Sequence, residues 1–301
     1  MCCLFGLMDY GNALSPRQRT RLVGALARES EARGTDAAGI AYNSGGKLHI
    51  LKRPGPARRL RFTLPGDARV VMGHTRMATQ GDALHNRNNH PFSGKAGKTR
   101  FALAHNGVLY NDRLLRYQHG LPETPIETDS YVAVQLLEQQ KALTPSSLKT
   151  MAEAVEGTFV FTILSQQDDL WFLRGENPLC LRFFPRLELF LYASTEAILN
   201  SALRKTWLRG EPFREIPVQT GDILRVDRRG RMHTEHFDLI HEVSRMFWTP
   251  VRGRSVERSY LEELKTVAGA FGYSPEDVER LFRSGWSPEE IEDALYLYQD
   301  L

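Results

Sequence analysis

Cys2-Cys3-Leu4-Phe5-Gly6-Leu7-Met8, followed by Asp9-Tyr10-Gly11-Asn12, is a short apolar run that stops at turn-forming residues. This is the pattern of a buried strand leaving into a turn. A strand so near the amino end sets the terminus in a sheet and makes it rigid. Ser15-Pro16 then supplies an N-cap with proline at the first helical position. Leu22, Val23, Leu26 and Ala27 recur at helical spacing, which predicts an amphipathic helix over 16–32 ended by Gly34. Next, Gly39 to Tyr42, a Gly45-Gly46 turn and Lys47 to Leu51 read as a hairpin.

Further apolar segments at 70–74 and 101–105 each stop at residues of chemical interest, His74 and His105. The interval 79–100 is rich in Gly, Asn, His, Pro and Lys and reads as one long loop, a length that signals function or mobility. Helices are expected over about 128–140, where Val132, Val134, Leu136 and Leu137 supply apolar surface, and over 146–155, with Gly157 ending the pair. Strands follow at 159–164, 170–174, 179–183 and 189–193, then a helix at 196–203 and strands at 223–226 and 232–236. Strands and helices sorted into blocks indicate α+β layering rather than βαβ winding.

The composition shifts near Pro250 to Arg254, beyond which the chain is charged and helical. Ser274-Pro275-Glu276-Asp277 and Ser287-Pro288-Glu289-Glu290 are two helix starts, each with a Ser cap, proline and first-turn acids. Residues 255–301 are therefore expected to be a small unit of about three short helices, with Leu281, Phe282, Trp286, Ile291, Leu295 and Tyr296 as its core. Residues 2–250 form the main domain.

The totals exclude several function classes. With 301 residues, 42% hydrophobic and 25% charged, the chain has apolar material for a sizeable core. Its net charge is +3 with both signs mixed along the chain, which is no footprint for nucleic acid; Arg58, Arg59 and Arg61 read as solvated surface. No apolar run approaches the ~20 residues that span a bilayer, and the start lacks the features of a signal peptide. A cytoplasmic protein without membrane contact is expected. Cys2, Cys3 and Cys180 form no disulfide framework, and His85, His90 and His105 show no metal-ligand spacing. No metal or cofactor is expected.

A cysteine after the initiator is small enough for Met1 to be removed. Taken alone, Cys2 also reads as a buried apolar thiol. A terminal cysteine, however, carries its own α-amine with a reference pKa of about 8, so nucleophile and base come in one residue.

The chain resembles the class II glutamine amidotransferases, especially the glutaminase domain of glucosamine-6-phosphate synthase. The opening Cys2-Cys3-Leu4-Phe5-Gly6 is similar to the family's Cys-Gly-Ile-x-Gly, and Arg33-Gly34-Thr35-Asp36-Ala37-Ala38-Gly39 to its Arg-Gly-x-Asp-Ser-Ala-Gly. His74-Thr75-Arg76-Met77-Ala78-Thr79-Gln80-Gly81 resembles its His-Thr-Arg-Trp-Ala-Thr-His-Gly. Asn89-His90-Pro91, Ala104-His105-Asn106-Gly107 and Glu127-Thr128-Asp129 resemble its Asn-x-His-Pro, His-Asn-Gly and Glu-Thr-Asp segments. Gly157-Thr158-Phe159, Gly175 with Pro178-Leu179, and Ala193-Ser194-Thr195 agree as well, so the match runs over about residues 2–230.

The resemblance implies an N-terminal nucleophile hydrolase fold, a four-layer αββα sandwich of two antiparallel sheets between helical layers, here with a small C-terminal helical appendage. It implies that Cys2 forms a glutamyl thioester, that Asn106 and Gly107 hold the oxyanion, and that Arg76 and Asp129 bind the α-carboxylate and α-ammonium of glutamine. Thr79 adds a hydroxyl contact to the carboxylate, and Arg33 and Asp36 brace the nucleophile's surroundings. Three departures stand out: Cys3 replaces a glycine beside the nucleophile, and Met77 and Gln80 replace an aromatic residue and a histidine that help close the pocket. The residues after Pro250 are too few for an acceptor domain, so ammonia is expected to pass to a separate synthetase. The tail, loosely similar to a ubiquitin-associated three-helix module, would serve in docking or self-association. The alternatives are an amidase of the same fold acting on another amide, and a non-catalytic glutamine-sensing scaffold.

Overall fold

The computed structural model describes residues 2–239, 260–262, 264–265, 268 and 273–297. In chain order the elements are β1 (Cys3–Asp9), α1 (Pro16–Glu29), β2 (Ala37–Ser44), β3 (Lys47–Pro54), β4 (Val70–Arg76), β5 (Phe92–Ala96), β6 (Thr99–Leu109) and α2 (Asp112–Gln118). There follow α3 (Tyr131–Gln140), α4 (Pro145–Ala154), β7 (Gly157–Ser165), β8 (Leu170–Arg174), β9 (Cys180–Phe184), β10 (Leu189–Ala193), α5 (Glu196–Arg204), β11 (Arg214–Glu215), β12 (Asp222–Val226) and β13 (Met232–His236). The last are α6 (Pro275–Arg283) and α7 (Pro288–Leu297).

Side chains on a strand alternate between its faces, and β1 uses both. Leu4 and Met8 point into a core shared with Met72, Ala104, Val160 and Phe172. Cys3, Phe5 and Leu7 point the other way, into a core with Leu22, Val23 and Leu26 of α1 and Leu199 of α5. A strand buried on both faces is why its sequence is continuously apolar. It lies inside a seven-stranded sheet of order β11-β9-β10-β1-β4-β2-β3. The second sheet, β13-β12-β8-β7-β6-β5, carries Leu103, Phe159 and Phe161 on its outer face, packed against Val132 and Leu136 of α3 and Leu148 of α4. Every strand pair is antiparallel. Three stacked cores give the order helix, sheet, sheet, helix, the four layers expected. Each fully buried Phe or Leu in them contributes about 1.5–3 kcal/mol.

Helix ends follow the local code. Ser15 and Gln18 form a reciprocal capping box, as do Thr144 with Ser147 and Ser274 with Asp277, each cap contributing about 1 kcal/mol. The first helix stops at Glu29 and tightens into a single 3₁₀ turn over Ser30–Arg33 before Gly34. The stretch 79–100 is not one loop: β5 lies within it, paired along its length with β6. Its Gly94, Lys95 and Gly97 read as loop residues, yet Phe92, Gly94 and Ala96 alternate inward over five residues, too short a span for periodicity to register. The short α2 and β11 were likewise not foreseen.

Both expected Ser-Pro signals start helices, α6 and α7, and residues 260–262, 264–265 and 268 are helical as well. Tyr260, Leu261, Leu264, Ala268, Val278, Ile291 and Leu295 are buried together, with Leu281 and Phe282 partly so. Trp286 is 40% exposed, because it follows Gly285 in the turn between α6 and α7 and sits beyond the apolar faces of both. The expected boundary at 250–255 and the side chain of Tyr296 lie outside the described residues. Among the described residues no helix is long and apolar enough to cross a membrane.

Candidate active site

Register places the leading cysteine. Cys3 pairs with Thr75 in an antiparallel ladder, so Cys2 lies beside Arg76 where β4 ends. The Cys2 carbonyl accepts from Arg33 Nε at 2.9 Å, and its thiol lies 3.5 Å from the Met77 carbonyl. Arg33 comes this close because Gly34 has no side chain: a Cβ there would stand 2.4 Å from the Arg76 carbonyl carbon and 2.6 Å from the Met77 nitrogen. Asp36 completes the brace, its backbone N–H donating to the Arg76 carbonyl at 2.9 Å and its carboxylate accepting from the Ala78 N–H at 2.8 Å.

The second sheet meets this point through histidines. His74 Nε2 lies 2.9 Å from the His105 carbonyl, tying β4 to β6 one residue before Asn106. Asn106 is fully buried, and neither atom of its side-chain amide has a hydrogen-bond partner among the described residues. Buried amides are nearly always satisfied, and this one, on β6 opposite Val160 of β7, has no protein partner among the described residues. Gly107 follows at φ 142°, and a Cβ there would fall 1.9 Å from the Thr158 carbonyl oxygen. Only glycine fits this point of the strand.

Arg76 donates to Asn89 Oδ1 at 2.7 Å and to the Gln80 and Gly81 carbonyls at 2.5 and 2.8 Å. These bonds use three of the five guanidinium donors. Asp129 Oδ2 accepts from the Leu109 N–H at 2.7 Å, and Oδ1 lies 3.3 Å from the Ser130 hydroxyl, which leaves lone pairs on both oxygens. The loop after Arg76 is fastened to the segment before Asp129. Gln80 Nε2 donates to the Glu127 carbonyl at 3.0 Å, and Asn88 exchanges two bonds with Glu127, at 2.9 and 3.0 Å. Thus Gln80, where the resembling family has histidine, holds the loop closed through its amide. Thr79 is exposed and makes no hydrogen bond among the described residues.

The second thiol is turned away. Cys3 is fully buried among the α1 side chains, 3.3 Å from Ser30 Oγ, as strand alternation requires of the residue after Cys2. His85 is exposed while His90 and His105 are buried, and the described residues contain no group of three His, Cys, Asp or Glu side chains able to hold a metal ion.

Burial pushes the Cys2 thiol up, opposed by the charge of the chain's amino terminus, a Met77 backbone hydrogen bond, Arg76 and Arg33. A thiol so placed stays protonated at neutral pH and needs a base to act. Burial also lowers His74 to about 3, and lowers His90 and His105, so all three are neutral in the folded protein at neutral pH. The unfolded chain takes up these protons near pH ~6.5. Stability is therefore complete above that pH and falls as pH drops through ~6.5, for His74 by up to ~1.4 kcal/mol per pH unit down to about 3, with His90 and His105 acting in the same direction. His90→Gln should flatten the fall of the unfolding free energy, read from urea titrations, as pH drops below ~6; an unchanged slope would mean that His90 titrates normally.

The fold thus sets Cys2 beside Arg76 at the end of β4, Asn106 and Gly107 on β6 directly after the His105 carbonyl that His74 meets, and Asp129 against the Leu109 N–H of the same strand, with Thr79 in the loop after β4. The sequence reading missed Asn89 as the partner of Arg76 and His74 as the bridge between sheets. Both stand inside motifs already singled out, but nothing in their spacing told their roles.

The family model for class-II glutamine amidotransferases matches residues 1–176. Glutamine–fructose-6-phosphate aminotransferase (isomerizing) of Listeria innocua is 34% identical over 188 residues, covering 60% of this chain and 30% of that enzyme. The same enzyme of Staphylococcus aureus is 32% identical over 191 residues, with the same coverage. The chain thus spans about 30% of the length of these curated relatives. Among solved structures, the B. subtilis glutamine phosphoribosylpyrophosphate amidotransferase superposes with a TM-score of 0.61 at 20% identity, covering 89% of this chain and 58% of that one. A second, described as the allosteric regulatory enzyme of purine biosynthesis, gives 0.62 at 21% with the same coverage. At such identities these two speak for the fold alone. By the match over residues 1–176, the chain belongs to the class-II glutamine amidotransferases.

Proposed function

We propose that this chain hydrolyses the side-chain amide of glutamine to glutamate and ammonia, with Cys2 as nucleophile once Met1 is removed. The freed α-amine takes the thiol proton through a water molecule, and the thiolate attacks the amide carbon. The carbonyl oxygen becomes an oxyanion held by the Asn106 side-chain amide and the Gly107 N–H, each such donor typically contributing about 3 kcal/mol. The tetrahedral adduct collapses as the α-ammonium protonates the departing nitrogen, releasing ammonia and leaving a glutamyl thioester. The amine then deprotonates water, which cleaves the thioester to glutamate and restores the thiol.

Arg76 binds the α-carboxylate of glutamine with its remaining N–H donors, and Asp129 accepts from the α-ammonium. Thr79 adds a hydroxyl to the carboxylate. An amino-acid head group calls for this pair of opposite charges; a simple acyl amide does not. Residues 2–250 form the glutaminase unit and residues 255–301 a small helical docking unit, and ammonia passes to an acceptor on a separate partner. The reading is carried by the idle, buried Asn106 amide one residue beyond the bridge that joins the two sheets beside Cys2.

Intact mass before and after treatment with a diazo-ketone analogue of glutamine tests it. The expected result is a mature chain lacking Met1 and carrying a single adduct at Cys2. Retained Met1, or labelling only at Cys180, would sink it.

A further inference from the structure

Arg33, whose Nε holds the Cys2 carbonyl, has a second engagement on its other side. Its guanidinium forms an ion pair with the carboxylate of Glu292 on α7, and Glu292 also accepts from the Tyr260 hydroxyl. Arg33 is 1% exposed and Glu292 fully buried. Glu292 and Tyr260 belong to the C-terminal helical cluster, Tyr260 as part of its core, and both stand beyond the last residue matched by the family model, 176.

A buried ion pair is a costly way to hold two elements together, since both charges lose their hydration. Apolar side chains would have packed α7 against the site more cheaply. What the pair adds is direction: a carboxylate on one side of the planar guanidinium fixes which way Nε points. The residue it points at is chained to the sheet on one side only, through Cys3, so its carbonyl contact is a principal restraint on where the thiol and the amine stand.

We propose that Glu292, supported by Tyr260, is a positioning residue for the nucleophile. Through Arg33 it makes docking of the C-terminal helical unit a condition for a correctly placed Cys2. The inference rests on the glutaminase reading for its effect on rate, but not for its effect on the thiol. With the unit docked, Arg33 is neutralised and oriented and Cys2 is held; with it displaced, Arg33 loses its counter-ion and the Cys2 backbone is released. A partner that grips the helical unit would then reach the glutamine site without touching it.

The test uses the full chain carrying Glu292→Ala, with Glu292→Asp as the conservative variant and Tyr260→Phe as a milder probe should the alanine variant not fold. Misplacement of a reacting group by about 1 Å costs about 100-fold in rate. Glu292→Ala should lower kcat for glutamate release by about 10- to 100-fold with KM unchanged, because Arg76 and Asp129 stay in place. Glu292→Asp should restore part of the loss, and Tyr260→Phe should lower kcat less than the alanine variant does. In parallel, alkylation by iodoacetamide, read by mass spectrometry, should speed up at Cys2 while Cys3 stays protected, with Cys180 as the internal reference. Unchanged kcat and unchanged Cys2 alkylation in a folded Glu292→Ala protein would overturn the proposal. So would exposure of Cys3 together with Cys2, which would mark a general loosening. If the unaltered chain releases no glutamate, the glutaminase reading fails, and the alkylation arm still decides the role of Glu292.

Discussion

Cys2→Ala is expected to remove glutamate release by about 10⁴-fold or more, as losing a covalent nucleophile does when nothing nearby can replace it. Cys3 cannot stand in, because its thiol faces the α1 core on the far side of the strand. The variant should remain folded. Cys2 is half-buried and lies before the first strand, so trimming its sulfur leaves the sheet intact and the thermal transition within a degree or two, an effect of about 0.5 kcal/mol or less. A companion variant separates sulfur from amine. Inserting one alanine between Met1 and Cys2 keeps the thiol in the strand register but moves the terminal amine one residue away. Glutamate release should fall nearly as far, while Cys2 still reacts with iodoacetamide. Because burial holds that thiol protonated, activity that survived the insertion would show that some other group takes its proton, and the single-residue mechanism would fall.

How much of this was legible beforehand follows from the length scale of each signal. Strand β1 was readable because burial on both faces left a continuous apolar run, and α1 because four apolar residues recur on one side behind a proline cap. The four layers followed from the resemblance and agree with the block pattern of the elements. Strand β5 was not readable, since its inward positions are a phenylalanine, a glycine and an alanine spread over five residues; pairing with β6 makes it a strand. The same holds at the site. Cys2, Arg76, Asn106 and Asp129 could be named from motifs, but motifs are blind to bonds between them. Nothing in the chain announces that His74 reaches the His105 carbonyl or that Asn89 holds Arg76. Least legible of all was Glu292, one acid among several on a charged helix, whose meaning appears only when α7 lies against Arg33.

Asn106→Ala should separate activity from stability more cleanly than a change at Arg76 or Asp129. Arg76 and Asp129 are also parts of the scaffold: removing the guanidinium loosens the 80–81 loop and leaves the buried Asn89 Oδ1 without a donor, and removing the carboxylate leaves the Leu109 N–H buried without an acceptor. Their variants will lose structure along with function, by about 1–3 kcal/mol for each buried group left unsatisfied. No protein group among the described residues bonds the Asn106 side-chain amide, so its loss breaks no protein–protein hydrogen bond. The shorter side chain leaves a small cavity, and the unfolding free energy should move by no more than about 1 kcal/mol in either direction. Turnover should not be spared. With one oxyanion donor gone, kcat should fall about 10²- to 10³-fold, equivalent to about 3–4 kcal/mol. KM should hardly change, because the charge that Asn106 meets exists only after the thiolate has attacked. A variant that lost stability and kcat together would show that the amide carries a structural bond. A variant that kept its kcat would place the oxyanion somewhere other than at Asn106 and Gly107 of β6.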